Sequence, residues 1–275
     1  MRILLAGAGG QLGRALLAAR LPHEILALDH GRLDIADLAA VREAVEAGTP
    51  DLLLNAAAYN AVDRAETERE AAYRANALGP RNLALAAAER GIPILHVSTD
   101  YVFDGSQRHP YHEYDAPRPL SVYAASKLAG ERAVRETNPR HYVVRTAWLY
   151  HSEGSNFPLT ILDRARKGPL RVVADQHGSP TYAPHLAAAI RRLVETGAYG
   201  TYHLAGCGGA TWFDVARTLL HAARLEASLE RAAAADFPRP APRPAYSVLT
   251  TLQQPFILLP PWQEGIEELA RTLRR

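Results

Sequence analysis

Tyr123 and Lys127 stand four residues apart, the spacing that puts two side chains on one face of a helix. A phenol with a pKa of about 10 is a poor proton donor near neutral pH. A nearby ammonium stabilises the phenolate and lowers that value. Thr99 adds a hydroxyl that can hydrogen-bond a substrate oxygen. Together the three form an acid for carbonyl chemistry. The cation usage sharpens this reading: of 31 lysines and arginines only Lys127 and Lys167 are lysine. Arginine cannot replace a compact ammonium that must reach both a phenol and a ribose. Lys167 belongs to the run Arg164-Ala165-Arg166-Lys167-Gly168 and reads as a solvated helix-end charge.

The second constellation is Gly7-Ala8-Gly9-Gly10-Gln11-Leu12-Gly13. It follows an apolar run and opens a helical one, the context of a dinucleotide turn. Leu12 breaks G-x-G-x-x-G, but Gly7, Gly10 and Gly13 fit G-x-x-G-x-x-G. Asp29 lies 22 residues after Gly7, where a carboxylate accepts from a ribose 2′-hydroxyl and favours NAD. Arg32, three residues on, suits the 2′-phosphate of NADP. Both readings stand. Asp34-Ile35 is a further candidate for the adenine side.

These groups need a sheet edge to hold them. Short apolar runs at Ile3–Ala6, Glu24–Leu28, Asp51–Asn55, Ile94–Ser98 and Tyr142–Thr146 alternate with helical stretches at 11–19, 36–47, 67–90 and 121–136. Gly79-Pro80 marks a break or kink in the third of these helices. Strands alternating with helices predict a doubly wound parallel sheet of the Rossmann type. Thr99 then ends a strand at the carboxyl edge, where ligands bind in such sheets. After Trp148 the order loosens: helices at 156–167, 184–195 and 212–224, strands at 170–174 and 201–204. Residues 237–244 carry four prolines and read as an extended connector. Ala232–Ala235 reads as a helix end. We expect a dinucleotide-binding domain at 1–150. A smaller α/β substrate domain should lie mainly in 151–275, with some segments returning to the first sheet and the ligand cleft between the two.

The chain resembles the extended short-chain dehydrogenase/reductase superfamily and, within it, the dTDP-4-dehydrorhamnose reductase family. The similar stretches run nearly end to end: GAGGQLG (7–13), NAAAYNAVDRAE (55–66), STDYVFDG (98–105), SVYAASKLAGE (121–131), RTAWLY (145–150), NF (156–157), DQHGSPT (175–181) and RPAYS (243–247). The resemblance implies Thr99, Tyr123 and Lys127 as the catalytic set. Gly10, Gln11 and Leu12 would hold the pyrophosphate, and Asp29, Asp34 and Ile35 would line the adenosine side. Ala58, Tyr59 and Asn60 would meet the cofactor near the catalytic edge, and Lys127 its nicotinamide ribose. Thr99, Asp100, Tyr123 and Trp148 would meet the substrate, and Arg243 would neutralise its diphosphate. The implied cofactor is NADPH, with NADH as the alternative. The implied reaction reduces the C4 ketone of dTDP-4-dehydro-L-rhamnose. Three positions depart from the family pattern: Ala124 for the usual glycine, Asn60 for a frequent threonine, and Ala15 where some members carry a magnesium-binding acid. No metal is therefore expected.

Composition narrows the alternatives. The 275 residues are 48% hydrophobic and 22% charged, with a net charge of +2, which gives no electrostatic case for nucleic acid or a membrane surface. A single cysteine, Cys207, excludes an internal disulfide and fits a reducing compartment. No apolar run is long enough to span a membrane, and the opening residues show no signal peptide. A cytoplasmic monomer or homodimer is expected. Other readings are a nucleotide-sugar epimerase or dehydratase, and a nucleotide-binding regulatory subunit like that of methionine adenosyltransferase. Tyr101 stands where a dehydratase of this superfamily typically carries a glutamate base. His109, Tyr111, His112 and Glu113 lack metal-ligand spacing and read as a loop near the substrate entrance. Trp212 reads as packing.

Overall fold

A computed structural model describes residues 1–19 and 23–274. In chain order the main elements are β1 (Arg2–Ala6), α1 (Gln11–Ala18), β2 (Glu24–Leu28), α2 (Leu38–Gly48), β3 (Leu52–Asn55), α3 (Arg69–Tyr73), α4 (Gly79–Glu89), β4 (Ile94–Thr99), α5 (Val122–Thr137), β5 (His141–Thr146), β6 (Leu149–Tyr150), α6 (Phe157–Ala165), β7 (Leu170–Val173), β8 (His177–Gly178), β9 (Thr181–Tyr182), α7 (Ala183–Thr196), β10 (Gly200–His203), β11 (Ala210–Thr211), α8 (Trp212–Ala223), β12 (Leu229–Ala232) and α9 (Trp262–Leu273).

Six strands form one parallel sheet in the order β2-β1-β3-β4-β5-β10. The order reverses between β1 and β3, so the ligand crevice of a doubly wound sheet falls at their carboxyl ends. Alternate residues take opposite faces. Ile3, Leu5, Leu52, Leu54, Leu95 and Val144 pack under α1 and α7. Leu4, Ala6, Leu53, Ile94 and Val143 pack under α2, α4 and α5. Both faces are covered, as a parallel sheet requires. A separate core joins Ile161, Leu170, Phe213, Leu219, Ile266 and Leu269 beneath α6, α8 and α9.

The structure departs from the sequence reading in three places. The helix expected over 67–90 has its irregularity just before Gly79-Pro80 rather than at it: a π-helical turn at Arg74–Leu78 runs on into α4. Pro80 sits in the first turn of α4, where a missing N–H costs nothing. The alanines at 232–235 end a strand, because β12 pairs with the open edge of β7, and a 3₁₀ turn over Ala234–Asp236 follows. Helix α9 was not expected at all.

Candidate active site

The glycine turn is set by sterics. Gly7 adopts φ +85°, and a Cβ there would lie 2.4 Å from the Ala57 backbone nitrogen. A Cβ on Gly13 would lie 2.4 Å from the Gly7 carbonyl oxygen. The turn after β1 is thus pressed against the chain leaving β3, at the crossover. Gly10 precedes α1 and brings no capping side chain, so the first N–H groups of the helix are available to an anion. Leu12 is buried in the sheet core, which leaves only its backbone for a pyrophosphate. The Gln11 Oε1 accepts from Asn156 Nδ2 at 3.2 Å.

The adenosine-side candidates divide. Asp29 accepts from the Arg32 backbone N–H at 3.1 Å, and the Arg32 guanidinium donates to the Ala27 carbonyl. Asp34 accepts from Arg74 at 2.7 Å and from the Ala36 N–H at 2.9 Å, and Arg74 holds its carboxyl below the usual range. Its charge is already matched. The Ile35 side chain packs into the core under Gly79. Ala58, Tyr59 and Asn60 follow β3 at the crossover. Tyr59 is gripped at both ends of its peptide: its N–H donates to Asn76 Oδ1 at 2.8 Å, and its carbonyl accepts from Asn76 Nδ2 at 3.1 Å. Asn76 lies in the π-helical turn, which aims it inward, and it also donates to Ser126 Oγ at 3.0 Å.

The carbonyl-chemistry residues meet at the end of β4. Thr99 ends that strand and caps a 3₁₀ turn over Asp100–Val102, accepting from the Tyr101 N–H at 3.2 Å. Ser121 caps α5, so Tyr123 lies in its first turn and Lys127 one turn on. The buried Tyr123 phenol lies beside the Thr99 hydroxyl and edge-on to Tyr101. Lys127 is 2% exposed, and its ammonium donates to the Val97 carbonyl at 2.6 Å.

The electrostatics correct one expectation. Tyr123 is not lowered by Lys127 in this structure. Burial pushes the phenol up, and the Asp100 carboxylate adds to that. Burial pulls Lys127 down to about 8, against the opposing pull of Glu131. Glu131 is fully buried and forked by Arg145 at 2.9 and 2.8 Å, with Ser98 donating at 2.6 Å.

The substrate-side candidates are placed differently from expectation. Asp100, expected to meet the substrate, has its carboxyl buried behind Thr99. Trp148 adopts φ +46° just after β5 and stacks face to face on Trp212 with centroids 3.5 Å apart. One indole face is therefore taken by protein. Arg243 is not free for a diphosphate: it forks onto Asp63, with Nη2–Oδ2 at 2.8 Å. The loop cluster is also committed. Tyr111 is buried against Phe103, and Glu113 accepts from the backbone N–H groups of His203 and Leu252. Both tie their loop to the chain's last extended segment. Sequence reasoning did not single out Asn76, Glu131 or Ser247, although Glu131 and Ser247 lie inside quoted motifs.

The model of a family described as RmlD substrate binding domain matches residues 1–275. A dTDP-4-dehydrorhamnose reductase of Mycolicibacterium smegmatis is 43% identical over 277 residues, covering 97% of this chain and 84% of that one. A probable dTDP-4,6-dihydroxy-2-methyloxan-3-one 4-ketoreductase of Streptomyces antibioticus is also 43% identical, over 90% of this chain and 86% of that one. The crystal structure of the Bacillus anthracis dTDP-4-dehydrorhamnose reductase in complex with NADP superposes with a TM-score of 0.96 at 37% identity, covering 98% of this chain and 99% of that one. A glycine turn at the β1–β3 crossover, a Thr–Tyr–Lys set at the end of β4 and likeness along the whole chain agree: the chain belongs to the dTDP-4-dehydrorhamnose reductase family.

Proposed function

We propose that this chain reduces the C4 ketone of dTDP-4-dehydro-L-rhamnose to dTDP-L-rhamnose, using NADPH, with NADH as the alternative donor. The observation that carries this is the grouping of Thr99, Tyr123 and Lys127 at the carboxyl end of β4, in the sheet whose crossover holds the Gly7–Gly13 turn. That turn fits a dinucleotide: Gly7 and Gly13 leave no room for a Cβ, and the α1 N–H groups lack a side-chain cap. The N–H groups of Gln11 and Leu12 would hold the pyrophosphate. Asp29 would accept from a ribose hydroxyl, with Asp34 and Ile35 beside the adenosine. Ala58, Tyr59, Asn60 and Lys127 would line the nicotinamide half. When bound, the reduced nicotinamide supplies a hydride to the ketone carbon. The complex of the Bacillus anthracis relative with NADP supports the phosphorylated cofactor.

In this reading Thr99 and Tyr123 grip the ketone oxygen, and Tyr123 donates the proton that completes the product hydroxyl. Lys127, whose ammonium donates to the Val97 carbonyl, would act by holding the nicotinamide ribose beside Tyr123. Trp148 shields the sugar with its remaining surface. Arg243 would exchange Asp63 for the diphosphate, one anion for another. The segments after 150 supply most of the sugar side, in a cytoplasmic monomer or homodimer. Among the described residues no helix is long and apolar enough to cross a membrane.

The relative named for a methyloxanone substrate favours a second reading, a different dTDP-4-ketosugar. One assay separates these. Cofactor oxidation is followed by near-UV absorbance, with substrate generated from dTDP-glucose by a 4,6-dehydratase and a 3,5-epimerase. Oxidation that needs the epimerase supports the rhamnose reading. Oxidation without it favours the other ketosugar. Protein that binds cofactor and oxidises none points to the epimerase or regulatory-subunit readings.

A further inference from the structure

Asp100 is 2% exposed, and its partners among the described residues are two hydroxyls and the backbone N–H groups of Asp100 and Tyr101, with no cation among them. Its Oδ1 accepts from Thr99 Oγ1 at 3.0 Å, and its Oδ2 accepts from Ser247 Oγ at 2.6 Å. Three elements surround it. Its own segment presents Tyr101, and α5 presents Tyr123. The segment after Arg243 presents Ser247, whose N–H donates to the His177 carbonyl. The nearby cations are engaged elsewhere: Lys127 on the Val97 carbonyl, Arg243 on Asp63. A buried carboxyl without a cation favours its neutral form. Burial lifts Asp100 to about 7, against the lowering pull of Ser247, Thr99 and the backbone N–H groups of Asp100 and Tyr101.

Thr99 has one hydroxyl proton to give. Facing a carboxylate, it donates that proton inward to Asp100. Facing a neutral acid, it accepts from Asp100, and its own proton is free to turn toward Tyr123 and the ketone oxygen. A ketone becoming an alkoxide needs donors already aimed at its oxygen. We propose that Asp100 is a positioning residue: held by Ser247 and protonated, it hydrogen-bonds Thr99 and turns the Thr99 hydroxyl outward as a second donor to the substrate oxygen. No covalent bond to Asp100 changes in the reaction. Tyr123 still supplies the proton of the product hydroxyl, and Asp100 keeps its own. The proposal rests on the ketoreductase reading above.

The test compares wild type, Asp100→Asn, Asp100→Leu and Ser247→Ala, with kcat and KM measured from pH 5 to 10. The wild type should lose kcat through an alkaline limb near pH 7. Asparagine can donate to Thr99 and accept from Ser247 without titrating. Its variant should lose some rate at pH 6 but also lose that limb, leaving only the one set by Lys127 near pH 8. Leucine cannot donate, so its kcat should fall about 10²–10³-fold at every pH, with NADPH affinity retained by fluorescence titration. Ser247→Ala removes a contact that favours the carboxylate, so its limb should move to higher pH. A limb near pH 7 that survives in Asp100→Asn, or equal rates for the Asn and Leu variants, overturns the proposal. Infrared difference spectra give a readout without turnover: a carboxylic-acid carbonyl band at pH 6 that Asp100→Asn removes. An absent band overturns the proposal even if no substrate is turned over. A wild type that turns over no ketosugar while showing the band refutes the ketoreductase reading instead.

Discussion

The Lys127 ammonium donates to the Val97 carbonyl at 2.6 Å, two residues before Thr99 on the same strand. This bond keys α5 to β4 and fixes where Tyr123 stands against Thr99. Lys127 is 2% exposed, so a larger, forked head must displace the packing around it. Lys127→Arg should therefore fold poorly or misplace Tyr123, with kcat down by roughly 10²-fold or more, the scale of one acid–base contribution. Steady-state kinetics with a thermal melt checks this. A wild-type rate in the arginine variant would contradict the assignment.

Gly7 and Gly154 both adopt positive φ, +85° and +82°, but their surroundings differ. A Cβ on Gly154 meets nothing within 4 Å, whereas one on Gly7 meets the Ala57 backbone at 2.4 Å. Gly154→Ala should cost only the left-handed penalty, about 1–2 kcal/mol. Gly7→Ala adds overpacking of about 1–3 kcal/mol and should weaken NADPH binding. Chemical denaturation and cofactor titration of both variants separate the two effects.

Glu131 and Arg145 form a forked pair in which both side chains are buried. Removing one charge strands the other. Glu131→Gln should lose about 3–5 kcal/mol of stability, whereas Glu24→Ala, which breaks the exposed pair with Arg2, should lose less than about 1 kcal/mol. Equal urea midpoints for the two variants would show that the buried pair adds nothing.

Asp63 holds Arg243 in place. If Arg243 serves the diphosphate, the two residues should act with opposite signs. Arg243→Ala should raise KM for the dTDP-sugar, and Asp63→Asn, which loosens the fork, should lower it by roughly threefold to tenfold. NADPH affinity should be unchanged in both. A rise in KM for Asp63→Asn would mean that the pair itself shapes the substrate side.

The inner strands β1 and β3 were legible because they are buried on both faces and read as short apolar runs. The catalytic trio was legible because four-residue helical spacing and an isolated lysine are local signals. Helix α9 keeps Trp262, Ile266 and Leu269 on one buried face, a readable period. Prolines at 255, 260 and 261 stand just before it, and no element was expected in that stretch. The expected Lys127–Tyr123 coupling failed for a reason local pattern cannot carry: the ammonium found a backbone carbonyl instead. The same holds for Asp100 with Ser247 and Asp63 with Arg243, pairs separated by 147 and 180 residues. Tertiary folding alone brings them together.

The central claim is hydride delivery to C4 of a dTDP-ketosugar. The most direct measurement uses NADPH deuterated at nicotinamide C4, with the dTDP-4-keto-6-deoxyhexose generated by the dehydratase and 3,5-epimerase, and the product read by NMR. The product should be dTDP-L-rhamnose carrying carbon-bound deuterium at C4, formed in step with cofactor oxidation and lost in Tyr123→Phe. Deuterium at another carbon, or a product unlabelled at C4, would contradict it.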